Sequence, residues 1–251
     1  MRTVLDPAEL TELFEADRET HLYGLADLEE PFWSHSTWYR EDAAAVGLVS
    51  DGGSWLTGYA MSRAAPEESL EILGRILGSI PSGTWITGPT GMYDTMSPKR
   101  PCRDIGVHWR MVLADVVDVD GSSEAIALGP ADLDAVVDLH SSDEDSAFFR
   151  PEMLLHNPFV GLWEGDRLVA SAGTHVASLR YRVAAVGAVI TRPSHRGRGL
   201  GALVMAALCE RLAREYETIG LNVEARNEPA LRIYDRLGFR RAFQYQEIEV
   251  L

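Results

Sequence analysis

The strongest constraint on the fold is an internal repeat. "VLDPAELTELFEAD", residues 4–17, is similar to "ALGPADLDAVVDLH", residues 127–140, and each predicts a strand end followed by a helix with proline at its first position. "VGLVSDGGSWLTGYA", residues 46–60, is similar to "VGLWEGDRLVASA", residues 160–172, and each is typical of a β-hairpin. The matches keep their order, at offsets of 123 and 114 residues. This order predicts a tandem duplication, with a chance likeness of helix starts and hairpins as the alternative.

A duplication divides the chain near the polar, glycine-containing stretch "VDVDGSSEA", residues 117–125. We therefore predict two domains, residues 1–120 and residues 121–251. The second domain continues with a strand at 180–191, a helix at 199–216, a strand at 218–225, a helix at 228–238 and an alternating final strand at 239–251. The first domain has counterparts of a helix, a strand and an alternating tail, but its sequence has no counterpart of the segment considered next.

The segment "VITRPSHRGRGLGALV", residues 189–204, places glycines and arginines between a strand and a helix. A helix N-terminus has unpaired N–H groups and the positive end of the helix dipole, and glycines allow the backbone to approach a phosphate closely. Arg196 and Arg198 can add charge-assisted hydrogen bonds. Because the whole chain has a net charge of −15, this locally positive segment predicts a small anionic ligand with a phosphate or pyrophosphate group.

Two classes of phosphate ligand compete for this segment. "GRGLGA", residues 197–202, satisfies the dinucleotide pattern G-x-G-x-x-G/A, and Glu224 ends the next strand, where an acid could bind a ribose. However, "RPSHR", residues 192–196, separates the strand from the first glycine, and no further strand–helix–strand units follow. A dinucleotide site is therefore disfavoured.

The other class is carried by two motifs. Arg196-x-x-Gly199-x-Gly201 resembles the acetyl-CoA pyrophosphate loop Q/R-x-x-G-x-G/A of the GCN5-related N-acetyltransferases (GNAT). Downstream, "LNVEARNEPALRIYDRLGFR" is similar to that family's ending N-x-x-A-x-x-x-Y-x-x-x-G-F, with the matching positions Asn227, Ala230, Tyr234, Gly238 and Phe239. The resemblance covers roughly residues 124–251. It implies an α/β fold of two tandem GNAT-like domains, each with a mixed, mostly antiparallel sheet flanked by helices, and a degenerate first copy.

The resemblance also implies a role for each matching position. The backbone of Val189, Ile190 and Thr191 would pair with the pantetheine arm of acetyl-CoA, which serves as a co-substrate. The loop would hold the pyrophosphate, and the downstream motif would complete the cofactor site. The implied cofactor-binding residues are Val189, Ile190, Thr191, Arg196, Gly197, Arg198, Gly199, Leu200, Gly201, Ala202, Asn227, Ala230 and Tyr234. Arg192 and Arg198 could instead face solvent.

Tyr234 is the implied catalytic residue, because a tyrosine hydroxyl can protonate the leaving CoA thiolate. The alternative is an aromatic ring that packs the helix against the sheet, since Ile233 and Leu237 lie nearby in an apolar pattern. The general base is not predicted. Many family members use a glutamate on the strand before the loop, but that strand has no acid here, and Glu224 and His175 are candidates only from neighbouring strands.

Composition excludes several other classes of function. The net charge of −15 argues against a nucleic-acid partner. Two distant cysteines and no H-E-x-x-H or C-x-x-C motif predict neither a disulfide framework nor a metal site, which suits a cytoplasmic protein. No run of 18 apolar residues occurs, so we expect no membrane association.

The resemblance predicts an N-acetyltransferase that moves an acetyl group from acetyl-CoA to an amine by direct attack in a ternary complex. The acceptor would be a small-molecule or peptide amine. The first domain would complete the acceptor pocket, for which the aromatic stretch at residues 31–39 is a candidate, or mediate formation of a homodimer. The alternative function is a non-catalytic acyl-CoA sensor, which keeps the loop and lacks a base.

Overall fold

The computed structural model describes residues 1–50, 52–53, 56–143 and 148–251. Its first elements follow the predicted order of helix, hairpin, helix and strand. They are, in chain order, β1 (Arg2–Val4), α1 (Ala8–Glu15), α2 (Leu22–Asp27), β2 (Ser36–Glu41), β3 (Ala44–Ser50), β4 (Leu56–Tyr59), α3 (Pro66–Ile76), β5 (Trp85–Gly88), α4 (Met92–Met96) and β6 (Cys102–Leu113).

The remaining elements repeat the same succession. They are β7 (Ile126–Leu128), α5 (Leu133–Ser141), α6 (Pro151–His156), β8 (Phe159–Glu164), β9 (Arg167–Ser178), β10 (Val183–Thr191), α7 (Leu200–Leu212), β11 (Thr218–Glu224), α8 (Glu228–Arg236) and β12 (Phe239–Val250). Both predicted hairpins form, as the antiparallel pairs β3·β4 and β8·β9. In the first hairpin, the connecting residues 51, 54 and 55 lie outside the described residues.

The chain forms two compact units whose bounds differ from the predicted division at residue 120. The first unit contains residues 1–110, 223–227 and 242–251, and the second contains residues 111–222 and 228–241. Most of the chain's final strand thus belongs to the first unit. A division drawn from the repeat and the polar stretch between its copies assigns every later residue to the later domain, because neither signal detects such distant pairing.

The first unit is built on a mostly antiparallel sheet. Its strands follow the order β1-β2-β3-β4-β5, with residues 246–249 of β12 paired to β5. In this series β4·β5 is parallel and the other pairs are antiparallel. Apolar residues of α3, including Ile72 and Leu73, pack against Ile86 and Ile248. Trp38 is 1% exposed, so at this position the aromatic stretch 31–39 belongs to the core.

The second unit is also mixed and mostly antiparallel. Its strands follow the order β7-β8-β9-β10-β11. In this series β10·β11 is parallel and the other pairs are antiparallel. Val136 and Leu139 of α5 pack on one face of the sheet with Phe159, Leu168 and Ile190. Burial of these side chains fixes β10 from one side while its end continues into the glycine-rich loop. The predicted α/β class with a mostly antiparallel sheet is confirmed.

In the described part of the chain, no helix is long and apolar enough to cross a membrane.

Candidate functional site

The parallel strands β10 and β11 stop pairing before β10 ends. Their register runs from Val183↔Thr218 to Val186↔Leu221, whereas β10 continues to Thr191. Within the described residues, positions 187–191 therefore present a strand edge that β11 does not cover. Such an edge can accept an extended ligand by strand-like hydrogen bonding. We call residues 187–191 the open edge.

Two β-bulges shape the start of the open edge. In the first, His175 is an extra residue of β9, because Ala185 pairs with Val176 and the next residue of β10 pairs with Thr174. In the second, β10 carries the extra residue, because Ala188 and Val189 lie opposite one residue of β9. Ala188 adopts a φ of +48°, which L-residues rarely adopt. Backbone strain of this kind is concentrated at functional sites.

The glycine-rich loop turns the chain from β10 into α7. Gly197 and Gly199 have φ values of +77° and +78°, where a side chain would be strained, and Gly199 is the N-cap of α7. Among the described residues, the N–H groups of 197–201 donate to no backbone carbonyl, while the N–H groups of Ala202 and Leu203 both donate to the Gly199 carbonyl. The loop thus presents successive unpaired N–H groups at the positive end of a 13-residue helix, which suits a phosphate.

The loop arginines are exposed and pair with acids of the same unit. Arg196 donates to Asp143, and Arg198 Nη2 lies 3.0 Å from Glu164 Oε1. His195 Nε2 lies 2.9 Å from the other oxygen of Glu164. Hydrogen bonds from His195 and Arg198 hold the pKa of Glu164 below its ordinary value. Surface pairs of this kind contribute little stability, so an anionic ligand can displace the acids at small cost.

Arg192 does not face the solvent, which the sequence left open. It is 4% exposed, and its guanidinium donates to the Leu168 carbonyl and to Asp138 Oδ2 at 2.6 Å. These contacts tie the end of β10 to β9 and α5. Arg192 therefore anchors the start of the glycine-rich loop to β9 and α5, and its buried guanidinium is not available to bind an anion.

The downstream motif lies on and before α8. Tyr234 is half-buried, with its ring edge-on to Phe239 at a centroid distance of 6.1 Å. Burial raises the pKa of the Tyr234 hydroxyl, so the hydroxyl keeps its proton at neutral pH. Ala230 is half-buried on the same helix, and Asn227 is exposed in the turn before it, with its N–H donated to the Glu224 carbonyl.

The two candidate bases differ in their surroundings. Glu224 accepts two hydrogen bonds from the neighbouring Arg226, at 3.0 and 2.6 Å. His175 of β9 contacts the open edge, with its Nε2 atom 3.2 Å from the Ala188 nitrogen. Of these two residues, His175 contacts β10, the strand that leads into the glycine-rich loop, whereas the hydrogen bonds described for the Glu224 carboxylate come from Arg226.

Among the described residues, the equivalent strands of the first unit form no open edge. The parallel pair β4·β5 is in register through Tyr59↔Thr87, and the N–H of Ala60 then donates to the Thr87 carbonyl at 2.8 Å. The first turn of α3 carries Glu67 and Glu68 instead of glycines and arginines, and these acids would repel a phosphate. The part of the first unit that the structure describes thus contains neither the open edge nor the glycine-rich loop.

Sequence reasoning missed the residues that build the bulges. The amide of Asn157 donates to the carbonyls of Thr174 and His175, at 3.3 and 3.1 Å, and so holds the bulge of β9. A Cβ on Gly173 would lie 2.2 Å from the Phe159 ring, and one on Gly187 would lie 2.2 Å from His175 Nε2. Glycines inside strands signal bulges or close approaches, so this pair was the available clue.

The described residues contain no group of three or more His, Cys, Asp or Glu side chains that could hold a metal ion.

One comparison with known protein families matches the part of the chain that contains this site. A family model described as "FR47-like protein" matches residues 159–248, which include the open edge, the loop and α8. A search of curated proteins returned no significant match.

Solved structures share the fold over most of the chain. A Drosophila protein covers 100% of this chain with 98% of its own, at a TM-score of 0.72 and 18% identity. A GCN5-related N-acetyltransferase-like protein from Streptococcus suis aligns over 98% of both chains, with a TM-score of 0.58 and 15% sequence identity. A GCN5-related N-acetyltransferase from Kribbella flavida aligns over 82% of this chain and 86% of its own, with a TM-score of 0.57 and 15% sequence identity. The chain therefore has the fold seen in GNAT acetyltransferases.

Proposed function

We propose that the second unit binds acetyl-CoA and transfers its acetyl group to an amine. The observation that carries this proposal is the open edge, which leads directly into a loop of unpaired N–H groups at the start of α7. An extended arm fits the edge, and a pyrophosphate fits the loop. The likeness to GNAT structures and to the FR47-like family supports the same assignment.

The residues of the site fit the parts of this substrate. Backbone groups of Val189, Ile190 and Thr191 would pair with the pantetheine arm, while the backbone of residues 196–202 would hold the pyrophosphate. Arg196 and Arg198 would exchange their acidic partners for phosphate oxygens. Asn227, Ala230 and Tyr234 complete the proposed site through the likeness of their motif.

We further propose direct attack of the amine on the thioester in a ternary complex. A covalent route needs an activated thiolate, but Cys209 is buried in α7, where burial raises its thiol pKa to about 12. Tyr234 would give its proton to the sulfur as the thiolate leaves. Its raised pKa keeps that proton available.

The proposed acceptor is a small-molecule or peptide amine. The net charge of −15 favours a cationic acceptor, because the field of an acidic protein concentrates cations at its surface. In this proposal the first unit is a degenerate copy, consistent with its paired β4·β5 strands and acidic helix start. It would contribute to the acceptor pocket or to a homodimer.

Substitution of Gly201 tests the cofactor site. Among the described residues, a Cβ at this position would meet Thr191 Oγ1 at 3.4 Å, an ordinary contact, so a Cβ can be added without displacing the backbone. We expect Gly201→Glu to abolish acetyl-CoA binding, because its carboxylate would repel the pyrophosphate. The same charge favours the start of α7, so the fold should persist. Isothermal titration calorimetry measures the affinity.

Gly201→Ala is the matched control, since it adds the Cβ without the charge and should retain binding. Undiminished affinity in Gly201→Glu would contradict the proposed pyrophosphate site. Release of CoA over a panel of amines then separates an enzyme from a sensor, which binds acetyl-CoA and turns nothing over.

A further inference from the structure

The reacting end of the ligand is located by the geometry of the open edge, given the proposed function. An extended arm that enters at the loop and lies beside Thr191, Ile190 and Val189 has its far end at Ala188 and Gly187. Pairing with β11 ends at Val186, so the arm can go no farther in the plane of the sheet. The acyl carbon and the attacking amine therefore meet near the bulge of β10.

No acid of β10 can remove the amine proton there, because residues 183–191 contain none. His175 reaches the bulge from β9. Its ring lies over Gly187, where a Cβ would come within 2.2 Å of Nε2, and only glycine leaves room for it. The carbonyls of Thr174 and His175 are both held by the Asn157 amide, which fixes the backbone that carries the ring.

His175 Nε2 has a partner for each of its protonation states. The Ala188 N–H lies 3.2 Å away and can donate to the lone pair of the neutral ring. The Phe148 carbonyl also lies 3.2 Å away and can accept from Nε2 once that atom carries a proton. A proton on Nε2 therefore finds an acceptor at hand, in exchange for the hydrogen bond from Ala188.

The neutral ring is the form present before reaction. Burial lowers the pKa of His175, and the Phe148 carbonyl partly offsets this by stabilising the protonated form. Among the described residues, no charged side chain adds to these two influences. The ring of Phe148 packs edge-on against the imidazole at a centroid distance of 5.8 Å and covers it on that side.

We propose that His175 is the proton acceptor of the transfer reaction, acting through Nε2 on the attacking amine directly or through one water. The amine nitrogen forms a bond to the acyl carbon while the carbon–sulfur bond breaks, and sulfur leaves with the electron pair as a thiolate. The amine proton replaces the Ala188 N–H at the single lone pair of Nε2, and the Nε2–H so formed donates to the Phe148 carbonyl. The imidazolium then returns the proton to solvent.

His175→Gln tests this role, because its amide oxygen can still accept the Ala188 N–H but cannot take up a proton. His156→Gln is the matched control, since His156 is an exposed histidine of α6. CoA release is followed against pH with the best amine of a panel, or with water as the acceptor. Acetyl-CoA affinity is measured by calorimetry, and the His175 imidazole is followed by ¹⁵N NMR with and without acetyl-CoA.

The wild type and His156→Gln should show kcat/KM rising with pH through an ionisation below the ordinary histidine value. His175→Gln should lose that rise and fall about 10²-fold in rate, with its acetyl-CoA affinity nearly unchanged. Acetyl-CoA should shift the His175 imidazole signal. Full activity with an unchanged pH profile in His175→Gln, or an imidazole signal that acetyl-CoA leaves in place, overturns this proposal alone. A wild type that binds no acetyl-CoA overturns the proposed function itself.

Discussion

Tyr234 is the residue at which a catalytic and a packing role are most closely balanced. The half-buried side chain packs its ring against Phe239, and burial raises the pKa of its hydroxyl. Tyr234→Phe removes the hydroxyl and keeps the ring. We expect kcat to fall on the order of 10²-fold, because the thiolate loses its proton donor. Acetyl-CoA affinity should hardly change, and stability should change by about 1 kcal/mol or less.

Steady-state kinetics, calorimetry and urea unfolding measure these three quantities. Tyr216→Phe is the matched control, because Tyr216 is a buried tyrosine of the same unit that belongs to neither the loop nor α8. If Tyr234→Phe retains full activity, the ring has only a packing role.

Asp27, at the end of α2, is an acid that the proposed chemistry does not use. It is 7% exposed, so its carboxyl lies almost wholly out of water. Burial raises its pKa to about 8. The folded state therefore favours the protonated acid, and this contribution to stability is complete below about pH 4 and is lost as the pH rises toward 8.

Asp27→Asn should stabilise the protein increasingly as the pH rises, because asparagine has a similar shape and cannot ionise. The gain in unfolding free energy should be small at pH 4.5 and reach a few kcal/mol at pH 8. Urea unfolding at several pH values measures it. Asp118→Asn, in an exposed loop, should show no such trend. A gain of equal size at every pH would contradict the raised pKa of Asp27.

At the scale of elements, the place of the His175 ring beside the bulge of β10 depends on a single glycine. Gly187→Ala would place a Cβ 2.2 Å from His175 Nε2, so the ring must leave Ala188. We expect a loss of about 1–3 kcal/mol in stability from this overpacking. The rate should fall as it does in His175→Gln, and the two changes combined should slow the reaction no further than either alone.

Kinetics and unfolding of the single and double variants provide this test, with Gly201→Ala as the tolerated glycine replacement. Additive losses of rate would show that Gly187 and His175 act separately.

The elements that sequence predicted well are those whose signals are local. The helix after Gly199 and the hairpin at β8·β9 follow from turn residues and periodicity within about 15 positions. The bulges at His175 and Ala188 were not predicted, because a bulge depends on the relative register of two strands. Arg192 likewise has the same sequence signature whether it faces solvent or is held by Asp138.

At the scale of the whole molecule, the repeat predicted the succession of elements, while the bounds of the compact units could not be inferred from it. Residues 239–251 alternate between apolar and polar side chains, as any strand with one buried face does, and nothing in this pattern specifies β5 as the pairing partner. Gln246 pairs with Gly88 across more than 150 positions. Pairing at such separation is decided by the assembled sheet and leaves little trace in either segment.

That distant pairing has a consequence for biosynthesis. The ribosome completes residues 1–110 of the first unit long before it reaches residues 242–251 of the same unit. At a translation rate of about 5–20 residues per second, the wait is on the order of 10 s. During it, the nascent chain carries the hydrogen-bonding edge of β5 without the strand that later covers it. An uncovered edge is a template for pairing with other chains, so co-translational chaperones are expected to engage this protein before its synthesis ends.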